Sequence, residues 1–100
     1  MTAILSGKRI LVAEDNEWIA AGLVDAIIGC DGIALGPAQT TTAALALILE
    51  LPDGAILDAN LLDGPITPVA RALCDKSVPL VIFTGLRLPS DLQSRTETSP

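Results

Sequence analysis

The segment Arg9-Ile-Leu-Val-Ala-Glu-Asp-Asn16 runs from a short apolar stretch into two acids and an asparagine. Its first five residues are rich in β-forming types, which predicts a buried strand over residues 9–13. Asn16 belongs to the residue types that cap helices, and the apolar residues after it recur at helical spacing, which predicts a helix over residues 17–28. The segment therefore predicts a strand and a helix joined by a turn that carries Glu14 and Asp15.

The same alternation of short β-type runs and longer helical runs continues along the chain. Further strands are predicted at residues 32–35, 55–57 and 79–83, and further helices at residues 43–51 and 67–75. Strands that alternate with helices pair in parallel through right-handed crossovers. The sequence therefore predicts an α/β fold over residues 1–100, an open, doubly wound parallel sheet between two layers of helices.

The composition narrows the classes of function. Half of the chain is hydrophobic, which excludes intrinsic disorder. The net charge is −6, and the only aromatic residues are Trp18 and Phe83. We expect no nucleic-acid partner, because phosphate backbones would be repelled and a base-stacking platform is missing.

Residues 32–49 form the longest uncharged segment, but Gly, Pro, Gln and Thr break it, so neither a membrane partner nor a location outside the cytoplasm is expected. Cys30 and Cys74 lack metal-ligand spacing and are expected to be buried thiols.

Acidic and hydroxyl side chains follow three of the predicted strands. Glu14 and Asp15 follow the first, Asp58 follows the third, and Thr84 with Gly85 follows the fourth. Because ligands bind at the carboxyl ends of strands in an open parallel sheet, we expect these groups to share one edge. Carboxylates placed together repel one another unless a cation or proton intervenes, and their hard oxygens suit Mg²⁺. With its cation bound, such a pocket would neutralise the charge of a phosphoryl group while an aspartate carboxylate accepts that group.

Three segments of this pattern resemble the receiver domain of bacterial two-component response regulators. They are Ile10-Leu-Val-Ala-Glu-Asp-Asn16, Ala55-Ile-Leu-Asp-Ala-Asn60 and Leu80-Val-Ile-Phe-Thr-Gly85. Taken singly, each has an ordinary explanation: a solvated helix start, an aspartate in a turn, or a common Thr-Gly loop. Their order and spacing along nearly the whole chain favour the family. The resemblance implies the flavodoxin-like strand order 2-1-3-4, with a fifth strand missing.

The resemblance also implies a role for each residue of the site. Asp58 matches the phosphoacceptor, which receives a phosphoryl group from a histidine kinase or a phosphotransfer protein. Asp15 matches the direct Mg²⁺ ligand, and Glu14 matches its partner, which usually acts through water. Asn60 matches the position whose main-chain carbonyl completes the metal shell, and Thr84 matches the hydroxyl that bonds the phosphoryl oxygen. Asn60 and Leu86 would occupy the two positions that tune hydrolysis of the acyl phosphate.

The chain departs from the family pattern at its end. Receivers carry a lysine after a fifth strand, and neither Lys8 nor Lys76 can replace it, since both precede strands and lie at the opposite end of the sheet. We therefore expect a receiver domain truncated at its C-terminal end. Losing the last helix would expose Ile19, Leu23 and Ile27 together with an edge of the fourth strand, which predicts a homodimer through that surface, segment exchange or poor stability.

The leading prediction is a signalling phosphoacceptor that is not an enzyme. Two other functions are alternatives to it. One is a non-switching pseudo-receiver that serves as a protein-interaction scaffold; the missing lysine favours it and the retained acids oppose it. The other is an aspartate-nucleophile phosphatase of the haloacid-dehalogenase kind. That family needs a second aspartate two residues after the first, and Asn60 cannot shuttle a proton.

Overall fold

The computed structural model describes residues 3–84. A single 3-10 turn (Ala3–Leu5) precedes the regular elements. In chain order these are β1 (Arg9–Ala13), α1 (Glu17–Gly29), β2 (Ile33–Ala38), α2 (Thr41–Ile48), β3 (Gly54–Asp58), β4 (Asn60–Leu61), β5 (Gly64–Pro65), α3 (Thr67–Asp75) and β6 (Leu80–Phe83).

Four of the strands form one parallel sheet in the order β2-β1-β3-β6. Since β6 is the fourth of the strands predicted from the sequence, this is the expected order 2-1-3-4. β4 and β5 form a separate antiparallel hairpin after β3, which the sequence pattern did not predict. The predicted open α/β sheet is confirmed.

The two central strands, β1 and β3, are mostly buried on both faces because helices cover the sheet on two sides. Along β1, Leu11 and Ala13 contribute to a core with α2 and α3, whereas Ile10 and Val12 pack with α1. This alternation follows from the two-residue period of a strand. In α3, Val69 and Leu73 are fully buried. Helices therefore cover both faces of the central strands, α2 and α3 on one side and α1 on the other.

Several predicted burial patterns were wrong. Ile27 is buried in the cluster with Ile10 and Val12, and Leu23 packs partly against that cluster. Val81 and Ile82 of β6 are exposed, which agrees with the exposed edge that was expected for the fourth strand. Cys74 is exposed and Cys30 is half-buried, so neither is the buried thiol that was expected.

The boundaries of the second strand and helix also differ from those predicted. β2 continues through the Gly36-Pro37 pair to Ala38, because Gly36 adopts a φ of 109° that keeps the chain beside β1. α2 begins at Thr41 rather than residue 43, since the Thr40 hydroxyl accepts a hydrogen bond from the Ala43 amide at 3.1 Å. No helix within residues 3–84 is long and apolar enough to cross a bilayer.

Gly36→Ala is expected to destabilise the fold by about 2–4 kcal/mol. A Cβ at Gly36 would lie 2.7 Å from the Val12 carbonyl oxygen, and the positive φ adds backbone strain. Gly22→Ala is the matched control, because it lies in α1 with open space around it and should stabilise the helix by about 0.5–1 kcal/mol. Urea unfolding of both variants measures the difference. Equal stability of the two variants would contradict the need for glycine at position 36.

Candidate functional site

Three carboxylates meet at the carboxyl edge of the sheet, as the sequence predicts. In the parallel ladder Ala13 pairs with Leu57, so the next residue along each strand brings Glu14 beside Asp58. One oxygen from each of Glu14, Asp15 and Asp58 lies within 4.8 Å of the others. Between Ile10 and Ala70 the chain has nine acidic residues and no lysine or arginine, so no cationic side chain from that stretch offsets the cluster.

Glu14 is the buried member of the cluster, with only 2% of its surface exposed. Its Oε2 accepts a hydrogen bond from the Asn16 amide at 2.8 Å. Its Oε1 is buried and has no hydrogen-bond partner among the residues that the structure describes. Burial, reinforced by the neighbouring acids Asp15 and Asp58, raises the pKa of Glu14 from its ordinary 4.5 to about 7. An unpartnered, buried carboxylate oxygen is costly unless a proton or a cation meets it.

The turn after β1 holds Asp15 between Glu14 and the start of α1. The Asn16 side chain caps α1 by accepting hydrogen bonds from the amides of Trp18 at 2.9 Å and Ile19 at 3.1 Å. This confirms the predicted cap. Asp15 stays half-buried at the edge of the cluster, and Trp18 is 79% exposed on the first turn of the helix.

Asp58 ends β3 and is half-buried. Its Oδ1 accepts a hydrogen bond from the Asn60 amide at 3.3 Å, and Asn60 itself begins the β4–β5 hairpin. The hairpin is anchored at its base, where the Ala59 amide donates to the Phe83 carbonyl at 2.9 Å and the Ile66 amide donates to the Ala59 carbonyl at 2.8 Å. The residue after the candidate acceptor is therefore held in place by hydrogen bonds.

Thr84 directly follows β6, whose Phe83 pairs with Asp58 across the ladder. It is exposed and lies at the same edge of the sheet as the three acids. Its expected contact with a phosphoryl oxygen stays a prediction. Gly85, Leu86 and the tail beyond them lie outside the described residues. Lys8 precedes β1 and Lys76 precedes β6, so both lie toward the opposite edge, as expected.

The donor set fits a hard divalent cation such as Mg²⁺. All three side chains offer carboxylate oxygens, which are the ligands this ion prefers. The unpartnered Oε1 of Glu14 is an acceptor that a cation or a cation-bound water would satisfy. The residues present therefore fit the ion.

One residue of this region acts differently from the sequence-based prediction. Because Asp63 lies close to Asp58 in the sequence, its charge by itself predicts only a more negative potential at the site. Instead its carboxylate accepts hydrogen bonds from Thr41, through the amide at 2.7 Å and the hydroxyl at 2.8 Å. The two residues are 22 positions apart, so no local pattern in the sequence marks the pair.

Comparisons with known proteins find solved structures that are similar to this chain, two of them response regulators by name or by fold relationship. No protein-family model matches the sequence, and no curated protein matches it. The crystal structure of the response regulator PhyR from Brucella abortus is similar over 81% of this chain, with 27% identity and a TM-score of 0.71. The chain spans only 35% of PhyR. The BeF3-activated solution structure of SdrG from Pseudomonas melonis Fr1 is similar over all of this chain and 83% of its own, with 36% identity and a TM-score of 0.66.

Proposed function

Because the chain belongs to the receiver-domain family of response regulators, we propose that it accepts a phosphoryl group on Asp58 in two-component signal transduction. The observation that carries this proposal is the convergence of three carboxylates at the carboxyl edge of the sheet, one of them buried with an unpartnered oxygen. A turn with a purely structural role would not favour such a cluster, since repulsion between like charges and an unsatisfied buried acceptor both lower the stability of the fold.

Mg²⁺ would be held by the side chains of Glu14, Asp15 and Asp58 and by the main-chain carbonyl of Asn60. When bound, it supplies the positive charge that lets an anionic phosphoryl group approach an acidic site. Glu14 would then be ionised, because a cation beside it favours the charged carboxylate over the protonated one.

In the proposed transfer, a carboxylate oxygen of Asp58 attacks the phosphorus of a phosphohistidine. The new P–O bond forms an acyl phosphate, the P–N bond breaks, and the leaving imidazole nitrogen takes a proton from solvent. The Asn60 amide, which already donates to Oδ1 at 3.3 Å, orients the carboxylate for this attack. The Thr84 hydroxyl would donate to an oxygen of the bound phosphoryl group.

The partner implied by this chemistry is a sensor histidine kinase or a phosphotransfer protein, and the protein would act in the cytoplasm. Because the stretch from Ile10 to Ala70 is acidic and lacks basic residues, we expect the donor's contact surface to be basic. Val81 and Ile82 of β6 are 61% and 44% exposed and would be the apolar contacts of the expected homodimer.

Incubation of the protein with Mg²⁺ and acetyl phosphate tests the proposal. We expect intact-mass analysis to detect one phosphoryl group, and EDTA to prevent its addition. Hydroxylamine should remove the group, since it cleaves acyl phosphates but leaves phosphate esters of serine and threonine intact. Absence of incorporation together with absence of Mg²⁺ binding would refute the phosphoacceptor role and support the scaffold alternative.

A further inference from the structure

The loop after the candidate phosphoacceptor is fastened to the start of α2 through one side chain. The Asp63 carboxylate accepts hydrogen bonds from the Thr41 amide at 2.7 Å and the Thr41 hydroxyl at 2.8 Å, with a longer contact of 3.4 Å to the Thr42 amide. We call this group of Asp63, Thr41 and Thr42 the Asp63 clasp. These hydrogen bonds also hold the pKa of Asp63 below its ordinary value. The loop and the helix are joined at this point although they are far apart in sequence.

A continuous path leads from the Asp63 clasp to Asp58. Asp63 lies in the turn of the hairpin, between Leu61, which pairs with Gly64, and Pro65, which pairs with Asn60. The Asn60 amide donates to the Asp58 carboxylate at 3.3 Å. The far end of the hairpin is therefore held by α2, and its near end contacts the residue that would receive the phosphoryl group.

The start of α2 does not depend on Asp63 alone. The Thr40 hydroxyl caps the helix through the Ala43 amide at 3.1 Å, and the Ala44 amide donates to the Thr40 carbonyl at 3.0 Å. For the loop, in contrast, residues 3–84 show one other hydrogen bond between its tip and this region, from the Leu62 amide to the Gln39 carbonyl at 3.1 Å. Removing the Asp63 carboxylate should thus affect the loop more than the helix.

We propose that Asp63 is a positioning residue for the chemistry at Asp58, acting by clasping the β4–β5 hairpin to α2 so that Asn60 stays against the acceptor carboxylate. This inference rests on the proposed phosphoacceptor function. It also implies reciprocity: because the Asp63 clasp favours binding of a phosphoryl group at Asp58, that group stabilises the clasp in turn.

The test compares Asp63→Ala with Thr40→Ala, which weakens α2 without touching the hairpin. Affinity for beryllofluoride, a phosphoryl mimic, is measured in the presence of Mg²⁺ through the fluorescence of Trp18, the only tryptophan. Asp63→Ala should lower that affinity roughly threefold to tenfold, the effect of losing about one net hydrogen bond. Thr40→Ala should leave it unchanged. Asp63→Asn, which keeps an acceptor for the Thr41 amide, should restore part of the loss.

Amide hydrogen exchange gives a second readout that does not depend on phosphoryl chemistry. In Asp63→Ala, exchange at Asn60 and Leu61 should accelerate, whereas exchange in β3 should stay as in the wild type. Thr41→Val, which removes only the hydroxyl donor, is a milder variant in case Asp63→Ala fails to fold, and it should shift both readouts in the same direction.

The outcomes separate the inference from the function it rests on. If wild-type protein binds beryllofluoride and Asp63→Ala binds it equally well, the positioning role is overturned and the phosphoacceptor role stands. An equal loss in Thr40→Ala and Asp63→Ala would also overturn it, because α2 stability alone would then explain the effect. If wild-type protein fails to bind and Asp63→Ala leaves exchange at Asn60 unchanged, both proposals fall.

Discussion

Asp58→Asn is expected to reduce Mg²⁺-dependent phosphoryl incorporation from acetyl phosphate by more than about a hundredfold. The substitution keeps the size of the side chain but replaces an anionic oxygen nucleophile with a neutral amide. It also removes a negative charge beside Glu14, where Asp58 contributes to the raised pKa. Intact-mass analysis after a fixed incubation time measures the phosphorylated fraction directly.

Asp25→Asn is the matched control for this substitution, because it makes the same chemical change on the exposed side of α1, outside the carboxylate cluster. It should be phosphorylated like the wild type. Metal-free Asp58→Asn should resist urea at least as well as the wild type at about pH 8, since it relieves repulsion of Glu14, and this would exclude misfolding as the cause of lost activity. Undiminished incorporation into Asp58→Asn would mean that the acceptor is another residue.

The metal-free protein should lose about 3 kcal/mol of stability between about pH 5 and pH 8. The pKa of Glu14 is about 7 in the folded chain and near 4.5 when the group is unperturbed. Between those values the folded state holds a proton that the unfolded state releases, so the free energy of unfolding falls as pH rises, and it levels off above about pH 7. Urea unfolding in EDTA, at constant ionic strength and several pH values, measures this slope.

Glu14→Gln should flatten that pH dependence, because the amide cannot ionise at the buried position. Glu17→Gln removes a neighbouring exposed acid outside the cluster and should leave the slope in place. Mg²⁺ at about a hundred times its dissociation constant should restore about 2.7 kcal/mol at pH 8 to the wild type. Equal stability of the metal-free wild type at pH 5 and pH 8 would contradict the burial of an ionisable Glu14.

The sequence predicted the site because its residues stand at strand ends. Parallel strands present their carboxyl ends at one edge of the sheet. The positions of Glu14, Asp15 and Asp58 directly after apolar runs were therefore enough to predict that these residues lie close together. The cap at Asn16 could be predicted for a similar reason, since a helix cap involves neighbours in the chain.

The sequence could not show which of the acids is buried, and it could not reveal the Asp63 clasp. Glu14 and Asp15 are adjacent and chemically alike, yet only Glu14 is buried, because the pleat of the sheet and the turn after β1 direct its side chain inward. Asp63 and Thr41 meet only because the hairpin folds onto α2. The burial of Ile27 was misjudged in the same way, since it depends on which strand residues face α1.

The sequence by itself therefore determined the α/β order of this chain and the edge of the sheet where its chemistry would lie. It did so through hydrophobic periodicity, helix caps and acids at strand ends, which all depend on residues that are close together in the sequence. The tertiary structure alone decided which carboxylate is buried without a partner, and that the loop after Asp58 is held by a helix that precedes it in the chain. Both depend on contacts between residues that are distant in sequence, and solvent exclusion and hydrogen-bond geometry at such contacts exist only once the layers have packed.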